Sequence, residues 1–177
     1  MRARYTRSVG LPVLNEETGE IVGTVSGMLA DPDTGVIEGF FVRIPGAFSS
    51  QQLFLSRVDI LHWGTRIAVR SADVLTPAED VVRLRRLLSH ERPILGQPMI
   101  TESGERLGTC KDIQFSTTDF RFEWLFPKKL FRWSIPVSAS QILEVRHDAI
   151  VIRDTTNPSA EKPSDTLGLI PPMPEAA

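Results

Sequence analysis

The side chains able to do acid–base, nucleophilic or metal chemistry in this chain are few and scattered: three histidines, His62, His90 and His147, and one cysteine, Cys110. Covalent catalysis needs a nucleophile and a base within hydrogen-bond reach of each other. His62 and His147 stand in nearly equivalent turns of the two halves of the sequence, which reads as a pair of solvent-facing turn residues. His90 falls at the end of an expected helix, where the helix dipole favours an imidazolium. Cys110 aligns with Val25 in an apolar pattern, and nothing near it in sequence would stabilise a thiolate, so it is expected in a core. Asp31-Pro-Asp-Thr-Gly35 opens like a calcium loop but lacks the Gly-x5-Glu continuation such a loop requires, which leaves a plain β-turn. Gly19, Gly23 and Gly27 do not make the Gly-x-Gly-x-x-Gly of a dinucleotide loop. The expectation is therefore a protein with no catalytic residues, no metal site and no cofactor.

One segment carries a different chemistry. Phe120-Arg-Phe-Glu-Trp-Leu-Phe-Pro-Lys-Lys-Leu-Phe-Arg-Trp133 places six aromatics and four cations in fourteen residues. Strand alternation would send Phe120, Phe122, Trp124 and Phe126 to one face, expected to be the core. Pro127-Lys-Lys-Leu-Phe-Arg132 then reads as a loop or hairpin tip with Leu130, Phe131 and Trp133 partly exposed. Exposed aromatics beside Lys and Arg suit a protein interface, or stacking on single-stranded RNA. The corresponding loop of the first half, Arg43 to Gln52, offers one cation and one aromatic, Phe48. The candidate partner-binding residues are thus Phe48, Lys128, Lys129, Leu130, Phe131, Arg132 and Trp133.

The elements that position this segment come from an internal repeat. Gly10-Leu-Pro-Val-Leu and Thr18-Gly-Glu-Ile-Val-Gly-Thr-Val recur as Gly96-Gln-Pro-Met-Ile and Ser103-Gly-Glu-Arg-Leu-Gly-Thr-Cys, about 85 residues on. Further on, Leu53 and Leu55 fall opposite Ile135 and Val137, and Ile67-Ala-Val-Arg70 opposite Ile150-Val-Ile-Arg153. Within each copy, short alternating runs separated by Gly, Pro and Asp signal strands and turns. Glycines inside the second strand, Gly23 and Gly27, predict a bulge or a sharp bend; the second copy keeps Gly108 and has Asp112 in place of Gly27. Five or six strands per copy, each copy closing on its own core, are expected.

Between the copies, Thr76-Pro-Ala-Glu79 reads as a capping box with proline at the first helical position. Val81, Leu84, Leu87 and Leu88 follow at helical spacing, so a helix is predicted to run to about His90, ahead of Pro93, docking on one barrel or in the seam. From Thr155 the pattern stops, and the proline-rich tail 155–177 is expected to be disordered apart from the apolar cluster Leu167–Ile170. The organisation expected is residues 7–75, a linker helix over 76–91, residues 92–154 and the tail.

Gly-x-Pro-Val, then Thr-Gly-Glu-x-x-Gly-x-Val, then a long strand and a closing Ile-Leu-x-x-Gly-x-x-Ile-x-Val resemble the PRC-barrel family over about residues 7–75 and 92–154. The family includes the cytoplasmic domain of the photosynthetic reaction centre H subunit and the C-terminal domain of a ribosome maturation factor. The resemblance implies two small antiparallel β-barrels, an all-β fold, acting as a binding platform without shared catalytic residues.

Charge and compartment bound the partner. Twenty Lys and Arg against 22 Asp and Glu, a net charge of −2, give no global attraction to nucleic acid or an anionic membrane, and 41% apolar residues suffice for a core. One cysteine excludes an internal disulfide and fits a reducing compartment. No secretory signal and no membrane span are read in the sequence, so a cytoplasmic location is expected. A protein partner is the leading expectation for this non-enzymatic adaptor; RNA or the ribosome, bound through the basic-aromatic segment, is the alternative. Homodimerisation through free strand edges is a further option.

Overall fold

The structure is a computed structural model that describes residues 1–44, 52–89 and 92–154. Short alternating runs give short strands: β1 (Arg2–Arg4), a helical turn α1 (Tyr5–Ser8), β2 (Pro12–Asn15), β3 (Ile21–Asp31), β4 (Val36–Arg43), β5 (Gln52–Ser56), β6 (Ile60–Trp63), β7 (Ile67–Val69) and β8 (Leu75–Thr76). After a connector come β9 (Pro98–Thr101), β10 (Arg106–Ser116), β11 (Phe122–Lys129), β12 (Arg132–Trp133), β13 (Val137–Ser138), β14 (Ile142–Val145) and β15 (Ile150–Ile152).

The protein is mostly β, with two sheets, one of them a half-barrel. The first runs β6-β7-β2-β3-β4-β5-β8; the second runs β14-β15-β9-β10-β11, with β12 and β13 both on β11. The repeat is therefore one of topology. It extends to a parallel contact in each otherwise antiparallel copy, β7 on β2 and β15 on β9. It extends also to the bends: β3 bulges against β4 between Val25 and Gly27, and β10 against β11 between Cys110 and Asp112. Just before each bulge a glycine lets the partner strand close in. A Cβ on Gly23 would lie 2.8 Å from the Arg43 carbonyl oxygen, and one on Gly108 2.9 Å from that of Lys128.

The expectation of two separate cores is corrected. One continuous apolar cluster holds Val13, Phe40 and Ile67 of the first copy together with Met99, Cys110, Ile113 and Leu125 of the second. At the seam Phe40 lies 4.8 Å from Trp63 and 6.0 Å from Phe115, ring centre to ring centre, and Trp63 meets Phe115 edge-on at 5.5 Å. A domain of some 60 to 70 residues buries only about 60% of its chain surface, so each copy gains by covering the open side of the other. The turn read as a failed calcium loop makes the backbone join. Ile37 N–H donates to the Phe120 carbonyl at 2.7 Å, Phe122 N–H to that of Gly35 at 2.9 Å. Arg92 grips Asp33 through both nitrogens, at 2.8 and 2.7 Å, and this hydrogen bonding holds the Asp33 carboxyl below its usual range.

The first residues, left outside the first copy by the repeat, cross to the second sheet. β1 pairs with β10, Arg2 opposite Ser116 and Arg4 opposite Gln114. What holds this arm is Asp112, 2% exposed. Its Oδ2 accepts from Arg4 Nε and Thr6 Oγ1, both at 2.7 Å, and its Oδ1 from the backbone N–H of Thr6 at 3.0 Å and its neighbour Ile113 at 2.8 Å. The Arg4 guanidinium carbon lies 3.4 Å from the centre of the Phe126 ring. In the first copy the equivalent ring, Phe41, packs directly over Gly27. Burial, and after it the Asp112 charge, push the Tyr5 phenol up.

The predicted helix of the connector is corrected too. Thr76 caps nothing: it ends β8, paired with Phe54. Two 3-10 turns, Ala78–Asp80 and Val82–Leu84, precede α2 (Arg85–Ser89). Extended backbone at Val81 (φ −85°, ψ 96°) separates the turns, leaving Val82 out in solvent while Ala78 and Leu84 both reach Phe54 in a small satellite core on the first sheet. The predicted apolar stripe packs on the first sheet, Val81 and Leu84 placed by the two tight turns and Leu87 and Leu88 by the short helix α2. The tail 155–177 and His90 lie outside the described residues.

Two outcomes follow. Asp112→Ala strands the Arg4 charge and two amide donors, and urea unfolding should show a loss of about 3 kcal/mol, with less than about 1 kcal/mol showing that the carboxylate does not hold the arm. Burial, with the nearby Asp112 charge second, pushes the Cys110 thiol up from 9.0 to about 12. The thiol should therefore resist an aromatic disulfide reagent at pH 8 and react fully once the protein is unfolded. Because its folded-state value is the higher one, its contribution to stability is present below pH 9 and fades as the pH climbs towards 12.

Candidate functional site

β11 does not alternate as expected. Gln114 pairs with Trp124 and Phe115 with Phe122, so Glu123 is an extra residue and the strand's faces exchange across it. Phe120 and Phe122 are buried, as expected of core residues. Beyond the bulge the inward positions pass to Leu125 and Pro127. Trp124 is 40% exposed and Phe126 lies under Arg4, which corrects the placing of those two in the core.

The strand then continues into a two-residue hairpin with β12. Lys128 faces Trp133 and Lys129 faces Arg132 across the ladder, leaving Leu130 and Phe131 as the apex, each 92% exposed. Trp133 is also exposed, and the Lys128 ammonium lies 5.5 Å from the centre of its ring. Lys128, Lys129 and Arg132 form no ion pair among the described residues. The structure thus brings six of the seven candidate residues together in one projection. The seventh, Phe48, lies outside the described residues.

Leu130 has φ 49°, the left-handed region where a side chain crowds its own backbone. Among the described residues only one other non-glycine shares it, Phe120 at the opposite end of β11 (φ 53°). Phe120 is buried in the seam and its carbonyl accepts from Ile37, so packing holds it there. Leu130 has no such packing. A turn that glycine or asparagine would fill comfortably instead displays an isobutyl group to solvent.

Sequence reasoning missed the neighbouring groove. Ser134 N–H donates to the Pro127 carbonyl at 2.9 Å, after which Ile135, 85% exposed, leads into Val137, buried on Leu125. Trp124, Lys129, Ile135, Pro136 and Ile152 line an open groove of about 830 Å³ beside the hairpin. The signal for Ile135 was its alignment with Leu53, a strand position that the second copy turned outward.

The other titratable residues stay apart. His62 lies in the open, its Nε2 3.9 Å from a Glu16 carboxylate oxygen, and the His147 carbonyl accepts from the buried Gln97. Cys110 is fully buried. No three His, Cys, Asp or Glu side chains among the described residues converge as metal ligands, and no helix among them is long and apolar enough to cross a membrane.

Leu130→Gly removes the crowding at the apex and almost no buried surface. It should raise stability by about 1 kcal/mol in urea unfolding; a loss would show that the leucine supports the fold.

A comparison with curated proteins found no match. Residues 2–82, from β1 into the connector, match the family model of the PRC-barrel domain. The first copy, the arm included, is thus the part of the chain that matches a PRC-barrel domain.

Proposed function

We propose that the chain is a non-enzymatic adaptor that holds a partner protein against the second barrel, in the groove beside the β11–β12 hairpin. The observation that carries this reading is that Trp124 and Ile135, 40% and 85% exposed, both line a groove built on sheet whose remaining lining mixes apolar and polar residues. Large apolar side chains held in the open on rigid strands are what protein interfaces bury at their centres, and tryptophan is prominent among the residues that dominate binding. Lys129 lines the same groove and extends the contact. The merged core supports the adaptor role, since a platform transmits position only if its halves move as one. The family match to a PRC-barrel domain supports a binding module as a class of function.

The alternative, association with RNA or the ribosome, has in its favour the cations Lys128, Lys129 and Arg132, which have no acidic partner among the described residues, and the Trp133 ring beside the Lys128 ammonium. At the apex only Phe131 offers a ring for a base to stack on, and Leu130 beside it offers none.

Cross-linked capture from the cells of origin separates the readings. Wild-type protein should retain a defined protein that the Trp124→Ala, Ile135→Asp double variant loses at unchanged melting temperature, with nuclease making no difference. Equal retention by the two would overturn the groove as the partner site, and a complex dissolved by nuclease would move the assignment to RNA.

A further inference from the structure

The apex of the hairpin is a second surface, distinct from the groove, and we propose that it docks the protein on an anionic lipid surface. Leu130 and Phe131 form an apolar point with nothing among the described residues packed on it, each 92% exposed. Behind the point stands a collar of cations on both strands, Lys129 and Arg132 one rung back and Lys128 two rungs back, with no acidic partner among the described residues. Trp133 shares the rung of Lys128.

These levels match a membrane interface. A strand rises about 3.3 Å per residue, so the collar begins roughly 3 Å behind the apex and the indole sits roughly 7 Å behind it. Apolar groups of peripheral proteins reach about 5–10 Å into the headgroup boundary, and tryptophan settles at headgroup level with its ring half in hydrocarbon. An apex of leucine and phenylalanine would enter the acyl region while the collar meets lipid phosphates all round. The left-handed φ of Leu130 agrees with this: the turn keeps an apolar side chain at its outermost point at a conformational cost.

Charge selects the lipid. The chain as a whole is acidic, with net charge −2, so a negative surface repels most of the molecule and attracts the hairpin, which orients the protein apex first. A neutral bilayer offers the apex only its two apolar side chains, too few for lasting attachment.

The test uses the full chain and sedimentation with vesicles of phosphatidylcholine alone or mixed with phosphatidylglycerol. Binding is expected to the mixed vesicles only and to weaken with salt. The Leu130→Asp, Phe131→Asp variant should lose about tenfold or more in partitioning, and Lys128→Glu, Lys129→Glu a similar factor. Leu130→Gly serves as the control for folding: stability held or raised, partitioning reduced. No binding to anionic vesicles, or binding indifferent to the apex substitutions, would overturn the proposal. So would binding that needs the cations alone and is competed away by an oligoribonucleotide. The Trp124→Ala, Ile135→Ser variant, which adds no charge beside the hairpin, should sediment like the wild type, so the lipid and partner readings fail independently.

Discussion

Neither copy of the repeat is large enough to enclose its own apolar residues, and the architecture follows from that shortage. Phe40, Trp63, Phe115 and Phe120 fill the space where two incomplete interiors face each other. Aromatic rings suit such a seam because each covers a large area and tolerates edge-on contact. Once the rings meet, the β3–β4 turn of the first sheet is fixed against the start of β11, and the Arg92–Asp33 pair can close over the join. The direction of β11 is thereby set from the seam, and with it the direction in which the hairpin projects. The apex and groove lie at one end of a strand whose other end is held by the shared core.

The two copies differ most where one charge entered. A glycine in β3 corresponds to Asp112 in β10, and a carboxylate buried beside a bulge must find donors or be expelled. The arm supplies them with Arg4 and Thr6, which adds a strand to the second sheet and covers Phe126. In the first copy the matching ring rests on bare backbone and needs no arm. One substitution thus separates a sheet that ends at its own strands from one that recruits the start of the chain.

Much of this was readable from residue order and some could not be. Turn glycines, Pro-initiated strands and matched apolar positions disclosed the repeat because those features act locally, through φ preference and period-two burial. Cys110 was placed in a core by its alignment with Val25 for the same reason. The connector misled because a capping box is also local, whereas Thr76 was claimed by a distant strand partner, Phe54. The faces of β11 misled because a single extra residue, Glu123, reverses alternation without leaving any compositional mark. The merged core left no periodic trace at all, since contacts between copies have no fixed spacing. At the candidate site, cations and aromatics announced the hairpin, but the outward turn of Ile135 depended on how β13 met β11.

The arm has a consequence for the order of assembly. Arg4 meets Asp112 across 108 positions of sequence, so β1 has no place in a sheet until β10 has been made. A polypeptide made from N- to C-terminus would fold the first sheet with β1 still unpaired, and β1 would be captured only when β10 arrives. The arm would then dock after the sheet that follows it in sequence, and until that moment Asp112 would stay open to water.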